Sequence, residues 1–347
     1  MKRLKYFLIF LLPITVGIAF ESEGLFSFIP LLVFFGLVPL LELLIPKSWN
    51  TDEASETDLS QPDFFYNLLL YSLVPLQWGF LLYFLSSQHE VTDPLTWWGR
   101  VLAMGLMCGI IGINVGHELG HRNSKIERFL GELLLLSSLE NHFLPYHNRG
   151  HHTNVGTPED PASARRNEVL FTFWFRSQIG SYIQAWQIEI KRMQITRQAR
   201  FSLSNKMVVY SISQSILLFS IFWTFGKGGL FAFVITSVFG MILLETVNYI
   251  EHYGLARKQK PNGTYELVKR HHSWNSNHLL GRAILFELSR HSEHHYKPDK
   301  PYQLLNRHES APNMPTGYPG MMLLALIPPL FFRVMNKAAD QVLKAGQ

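Results

Sequence analysis

Histidine is concentrated in four short clusters whose spacing suits metal binding. The clusters are His117 to His121, His147 to His152, Asn248 to Gly254 and Arg290 to His295, and they hold nine of the 15 histidines. Neutral imidazole is a ligand for zinc, copper, iron and nickel. A zinc ion takes about four ligands, so nine imidazoles are too many for one ion. The count predicts two metal ions. The candidate ligands are His117, His121, His147, His151, His152, His252, His291, His294 and His295.

Several of these histidines are four positions apart, which places both side chains on one face of an α-helix. The pairs with this spacing are His117–His121, His147–His151 and His291–His295. Two imidazoles on one helix face can converge on an ion without backbone strain. A lone histidine near a membrane surface is usually a satisfied polar residue, but nine at these spacings argue against that interpretation.

Charged and polar side chains beside the clusters are candidates to orient the ligands. A carboxylate can accept the free imidazole N–H and so fix the tautomer. The candidates are Glu118, Glu251, Glu293, Arg149, Asp160 and His278. Arg149 lies between His147 and His151 and is expected to balance such carboxylates. A direct ligand role for one of the three glutamates is the less favoured alternative.

The first cluster also matches H-E-x-x-H, the zinc metalloprotease signature, with Glu118 as general base. That interpretation uses two histidines and ignores seven, and the chain contains no Asp-Gly pair to supply a downstream aspartate ligand. Zinc would suffice for hydrolysis. A histidine-rich site for two metals that faces apolar helices better suits redox iron acting on an apolar substrate.

The elements that must position these clusters are membrane helices. Only 16% of the 347 residues are charged, and the apolar residues come in long blocks. A membrane-spanning helix needs about 20 apolar residues. The pattern predicts an all-α integral membrane protein with a histidine-rich di-iron cap and a single domain over residues 1–347. The six predicted spans are 4–21, 25–46, 64–86, 97–120, 207–226 and 229–252, with a tight turn at 226–229.

The distribution of Lys and Arg predicts the orientation. Of 31 such residues, all but Arg100 and Lys227 lie in the termini or in the connections on one side of the predicted bundle. The positive-inside rule places these regions in the cytoplasm. Both termini, segments 121–206 and 253–347 and all four clusters are therefore predicted to be cytoplasmic. The net charge of +5 reflects this asymmetry and does not indicate nucleic-acid binding.

The chain contains a single cysteine, Cys108, within an apolar run. One cysteine cannot supply the four thiolates of an iron–sulfur site. If the chemistry needs electrons, another protein must therefore deliver them.

The clusters resemble the histidine boxes of the membrane fatty acid desaturase and hydroxylase superfamily, and more narrowly those of bacterial alkane 1-monooxygenases. The motifs that carry this resemblance are His117 to His121, His147 to His152, Thr157 to Ser163, Asn248 to Gly254, Ser273 to His278 and Arg290 to His295. The nearest competing resemblance is to xylene side-chain monooxygenases. A fatty acyl desaturase is a further alternative.

This resemblance implies the same nine histidine ligands, two non-haem irons and dioxygen as co-substrate. It also implies terminal hydroxylation of n-alkanes to 1-alkanols in the bacterial inner membrane. The implied electron donor is rubredoxin, which is reduced by an NADH-dependent reductase. One departure is Tyr146, because the family commonly has glutamate before the histidine at position 147.

Overall fold

The computed structural model describes residues 3–45 and 64–345, and these residues are all-helical, as predicted. The described residues contain two isolated β-bridges and no strand. The helices up to residue 154 are α1 (Leu11–Glu21), α2 (Ile29–Leu32), α3 (Val38–Leu44), α4 (Phe64–Gln88), α5 (Pro94–Met107), α6 (Asn114–Gly120), α7 (Lys125–Leu136), α8 (Phe143–Tyr146) and α9 (His152–Asn154). The later helices are α10 (Leu170–Ile195), α11 (Lys206–His252), α12 (Leu279–Ile284), α13 (His291–Tyr296), α14 (Tyr318–Ala325) and α15 (Pro328–Ala345).

Among the described residues, five helical segments are long and apolar enough to cross a membrane. They are Leu4–Glu21, Gly24–Leu44, Phe64–Gln88, Pro94–Gly120 and Lys206–His252. Their bounds lie within a few residues of the predicted spans. The 47-residue α11 carries the last two predicted spans, and its backbone leaves helical geometry at Gly226, where φ is 67°. Glycine adopts such a positive φ at little cost, and this break lies within the predicted turn. Residue 46, the predicted end of the second span, lies outside the described residues, as does Lys47.

The chain divides into two compact units. Of the described residues, 3–36, 64–145 and 185–244 form the first, and 37–45, 146–184 and 245–345 form the second. In the first unit, glycines allow close packing between the long helices. A Cβ at Gly105 would lie 2.5 Å from Phe239, and one at Gly109 would lie 3.0 Å from Leu243. Membrane helices commonly approach one another at such small residues, because dispersion contacts between helices replace the missing hydrophobic force.

Helix α7 packs against α6, which carries the first histidine cluster. A Cβ at Gly131 of α7 would lie 2.8 Å from the carbonyl oxygen of Gly116 and 3.0 Å from the backbone nitrogen of Gly120. Buried Ile113, Leu135, Phe143 and Leu144 form an apolar cluster beside this crossing. The two helices therefore touch through backbone atoms, which cannot move aside as a flexible side chain would.

We expect Gly131→Ala to lower the free energy of unfolding by about 1–3 kcal/mol, the usual cost of overpacking. Denaturant titration of the detergent-solubilised protein measures this. The matched control is Gly79→Ala within α4, where an added Cβ would meet no atom within 4 Å. Because alanine is the better helix former, that variant should be unchanged or slightly more stable. Equal unfolding curves for the two variants would contradict a tight α6–α7 contact.

In the second unit, the loop from Ser273 to Ser276 forms hydrogen bonds with both the end of α11 and the start of α13. Trp274 donates its backbone N–H to the carbonyl of Glu251 at 2.8 Å and its indole N–H to the carbonyl of Tyr253 at 2.9 Å. The next residue, Asn275, accepts the backbone N–H of Ser292 at 2.8 Å. These bonds fix the end of α11 relative to the first turn of α13.

Candidate metal centre

Four buried histidines of the second unit direct their ring nitrogens towards one another. Their ligand atoms all lie within 4.8 Å of one another. The Nε2 atom of His291 lies 3.1 Å from that of His252 and 2.9 Å from that of His295. His151 Nε2 lies 3.2 Å from His295 Nε2. We call His151, His252, His291 and His295 the four-histidine group.

Three different elements supply this group. His252 is the last residue of α11, and His151 ends a π-helical segment, His147–His151. His291 and His295 occupy successive turns of α13, so the spacing of four residues brings their Nε2 atoms together. The exposed fraction of each of the four residues is 5% or less, so the ligand atoms are shielded from solvent.

Three more histidines of the second unit, His147, His152 and His294, form a second set that we call the three-histidine group. Their ligand atoms also lie within 4.8 Å of one another. The Nε2 atoms of His147 and His152 are 3.0 Å apart, and the rings of His152 and His294 are 4.9 Å apart.

The structure differs here from the predicted pairing of His147 with His151. In a π-helix the hydrogen bonds join residues five positions apart, so residue i+5 lies nearer to residue i than in an α-helix. His147 accordingly pairs with His152, while His151 turns to the four-histidine group. The π-helical turn thus sorts neighbouring histidines of one cluster into two groups.

The first unit contains one pair of converging histidines. His117 and His121 lie at the end of α6, and their Nε2 atoms are 3.0 Å apart. The ring of His117 packs edge-on against Phe143. This is the convergence that the H-E-x-x-H spacing predicts for two residues on one helix face.

A metal ion fits the donor set of the four-histidine group. Ligand atoms that each lie about 2 Å from one ion are separated by roughly 3 Å from their neighbours, as these Nε2 atoms are. His151 Nδ1 donates to Asp160 Oδ2 at 2.9 Å, which leaves the lone pair of Nε2 facing the group. Lone pairs that face one another repel, and a cation among them converts this repulsion into attraction.

The environment also keeps imidazoles in the form that binds metals. Burial, followed by the neighbouring imidazoles, holds the pKa of His295 well below its usual value. Burial and the nearby His151 lower the pKa of His294 to about 3. Both rings are therefore neutral at neutral pH, and metal ligation requires this neutral form.

Asp160 lies behind His151 and accepts several hydrogen bonds. Besides His151, its carboxylate accepts from Tyr146 at 2.5 Å and from Ser163 at 2.7 Å. Burial alone would raise the pKa of Asp160, but its interactions with His151 and the hydrogen bonds from Tyr146 and Ser163 lower it to about 2. Asp160 is thus ionised, and Tyr146, the departure from the resembled family, contacts this carboxylate.

Two of the candidate glutamates have different surroundings. Glu251 accepts from Tyr318 at 2.6 Å, and its other oxygen lies 3.3 Å from His291 Nε2, on the side that faces the group. Glu293 pairs with Arg270 at 3.1 Å and Lys300 at 2.8 Å, and it also contacts His308. Its contacts therefore tie α13 to neighbouring loops.

The remaining candidates lie as follows. Glu118 accepts from Arg122 at 2.8 Å. Arg149 is exposed. His278 precedes α12, and its Nδ1 lies 2.9 Å from Ser276 Oγ.

Two residues near the candidate ligands, Ser163 and Tyr318, were not among the candidates from the sequence. Ser163 follows Asp160 by three residues and could have been found, whereas Tyr318 is 67 residues from Glu251 and carries no local signal.

A third set, Glu266, His271 and His272, also has ligand atoms within 4.8 Å of one another. Hydrogen bonding argues against a metal there. His272 Nδ1 accepts the backbone N–H of Lys269 at 2.9 Å, so its proton is on Nε2, which faces Glu266 at 3.3 Å. A protonated Nε2 cannot ligate, and the Lys269 ammonium, 2.8 Å from Glu266, repels a cation. This set is a hydrogen-bonded turn.

Comparison with known proteins agrees with this arrangement. A family model described as fatty acid desaturase matches residues 95–324, a range that includes all nine candidate histidines. Together with the apolar helices, this match defines the class: a membrane protein with the histidine clusters of the desaturase and hydroxylase superfamily.

Curated relatives narrow the class. The chain is 36% identical to an alkane 1-monooxygenase of Ectopseudomonas oleovorans, over 96% of this chain and 85% of that protein. It is 36% identical to alkane 1-monooxygenase 1 of Alcanivorax borkumensis, over 96% and 84% respectively. Identity to the xylene/toluene monooxygenase hydroxylase component of Pseudomonas putida is lower, 27% over 97% and 89%. The chain belongs to the alkane 1-monooxygenase family, which confirms the resemblance in the sequence. It is an oxygen-incorporating oxidoreductase.

Proposed function

We propose that this protein hydroxylates the terminal methyl group of n-alkanes to give 1-alkanols, with two iron ions bound by the nine histidines. The balanced reaction combines the alkane and O2 with two electrons and two protons, and it yields the alcohol and water. The single observation that supports this proposal most is the presence of distinct sets of converging Nε2 atoms in one chain of the alkane 1-monooxygenase family. When bound, the irons supply the activation of dioxygen.

The residues of the chain provide the conditions for this chemistry. His151, held from behind by Asp160, keeps an Nε2 lone pair directed at the four-histidine group. Burial of that group excludes water, which protects reactive species from side reactions. Asp160 is held as an anion by its hydrogen-bond donors, which offsets part of the charge of bound metal.

The proposed setting is the bacterial inner membrane, with both termini and the metal centre on the cytoplasmic side. The asymmetry of Lys and Arg supports this orientation. We propose that the whole chain acts as a single monooxygenase domain and that the alkane enters from the bilayer. An apolar chain partitions strongly into lipid, so entry between membrane helices avoids its transfer through water.

The electrons must come from another protein. Cys108 is the single cysteine of the chain and is buried, so the chain cannot build a thiolate-ligated iron site of its own. We propose rubredoxin, reduced by an NADH-dependent rubredoxin reductase, as the donor. The basic charge of the predicted cytoplasmic segments would attract an acidic donor.

Metal analysis of the purified protein, combined with a rubredoxin-driven assay on octane and hexadecane, tests the proposal. We expect about two irons per chain and 1-alkanol as product. An alkene product would favour a desaturase, and oxidation restricted to methyl groups on aromatic rings would favour the xylene type. One zinc per chain without oxygenated product would overturn the proposal and favour the metalloprotease alternative at His117–His121.

A further inference from the structure

Tyr146 immediately precedes the π-helical segment, and its phenol is buried among polar groups. Only 2% of the residue is exposed. Its hydroxyl donates to Asp160 Oδ1 at 2.5 Å and accepts the backbone N–H of Ala162 at 3.1 Å. Both the donor and the acceptor capacity of the hydroxyl are therefore used within one network.

The other end of this network is a metal-facing imidazole. Asp160, 1% exposed, receives Tyr146 on Oδ1 and receives both His151 Nδ1 (2.9 Å) and Ser163 Oγ (2.7 Å) on Oδ2. Ser163 is held in turn, because its Oγ accepts the backbone N–H of Gly156 at 2.8 Å. The carboxylate thus connects the tyrosine hydroxyl with His151, whose opposite nitrogen faces the four-histidine group.

We infer that Tyr146 acts through Asp160 as a positioning residue for His151, so that the pair tunes the affinity of the four-histidine group for its metal. This inference rests on the proposed metal centre. His151 can ligate only if its proton stays on Nδ1, and the carboxylate of Asp160 selects that tautomer. Tyr146 occupies the other carboxylate oxygen and so opposes rotation of the carboxylate away from His151.

The alternative is that Tyr146 is merely structural and closes the loop from Thr157 to Ser163. The two roles predict different results. A structural tyrosine affects folding stability and has no particular relation to Asp160. A positioning tyrosine loses its effect once Asp160 can no longer hold His151. The double variant Tyr146→Phe/Asp160→Asn therefore separates the two roles.

The experiment titrates the metal-free, detergent-solubilised full chain with Co²⁺. Chelator competition gives the dissociation constant of each bound ion, and the visible absorption bands of Co²⁺ follow its binding. The variants are Tyr146→Phe, Asp160→Asn and the double variant. The matched control is Tyr249→Phe, which removes a buried phenol that donates to the carbonyl of Glu168 at 2.7 Å.

For wild type we expect two bound ions. Asp160→Asn should weaken one of them by about 10–100-fold, the usual cost of removing a partner behind a ligand. Tyr146→Phe should weaken the same ion by about 2–10-fold, as for the loss of one hydrogen bond. The double variant should match Asp160→Asn alone. Tyr249→Phe should leave both dissociation constants at the wild-type values.

The inference is overturned if Tyr146→Phe leaves both constants unchanged, weakens both ions equally, or adds its full effect in the double variant. If Asp160→Asn does not fold, the comparison of Tyr146→Phe with Tyr249→Phe carries the test, because only a positioning tyrosine should weaken one ion selectively. A wild-type protein that binds fewer than two ions refutes the proposed function itself. A two-ion wild type with an unaffected Tyr146→Phe refutes only the present inference.

Discussion

Replacing His291 with alanine is expected to remove one of the two proposed metal ions and to abolish turnover. His291 Nε2 lies 3.1 Å from His252 Nε2 and 2.9 Å from His295 Nε2, so it is central to the four-histidine group. Loss of a partner behind a ligand typically costs 10–100-fold in affinity or activity. Loss of the ligand itself should therefore reduce activity by at least about 100-fold. Iron content per chain and initial rates of 1-alkanol formation measure the two effects.

The matched control for this prediction is His89→Ala. His89 lies outside the histidine clusters and its side chain is 61% exposed. That variant should keep both irons and the wild-type rate. A folded His291→Ala protein that also retained two irons and activity would show that the four-histidine group is not a metal site. Far-UV circular dichroism distinguishes such a result from loss of the helical fold.

The membrane helices were predictable because their signal is local and large. An apolar run of membrane length can be recognised without knowing what it packs against. The break at Gly226 was predictable for a similar reason, since glycine within such a run marks a position that leaves the helix. The positions of the nine histidines at or beside helix ends followed from the same pattern.

The sorting of those histidines was not predictable. The spacing of His147 and His151 predicts a shared face only if the backbone is α-helical, and the segment is π-helical. A change of hydrogen-bond register by one residue leaves no mark in composition. His151 joins His252, His291 and His295 through contacts up to 144 residues apart in sequence, and these depend on the tertiary fold.

The same limit applied to the groups around the ligands. Proximity in sequence suggested Glu293, which instead binds Arg270 and Lys300. Asp160 lies nine positions from His151, and its partner Tyr146 is a residue type that suggests packing. The polar network around a metal site is assembled from residues that are distant in sequence. Residue type and proximity in sequence to a ligand therefore identify only some members of the network.

The second large effect is expected at a buried ion pair that supports α13. Arg282 Nε donates to Glu287 Oε2 at 2.7 Å, and the side chains are 0% and 2% exposed. Arg290, adjacent to His291, lies 3.5 Å from the same carboxylate oxygen. Glu287→Gln keeps the shape of the side chain but leaves two buried guanidinium groups without their anion. Breaking a buried pair in this way costs about 3–5 kcal/mol of unfolding free energy.

Denaturant unfolding in mixed micelles measures this loss, and Asp340→Asn is its control. Asp340 pairs with Arg166 at the surface, where the side chains are 49% and 41% exposed. Solvent screens that pair, so its loss should change stability by less than about 1 kcal/mol. Because Arg290 begins the turn that carries His291, Glu287→Gln should also lower iron content, whereas Asp340→Asn should not. Similar stability losses in both variants would mean that water reaches the Arg282–Glu287 pair and that burial does not amplify its charge interaction.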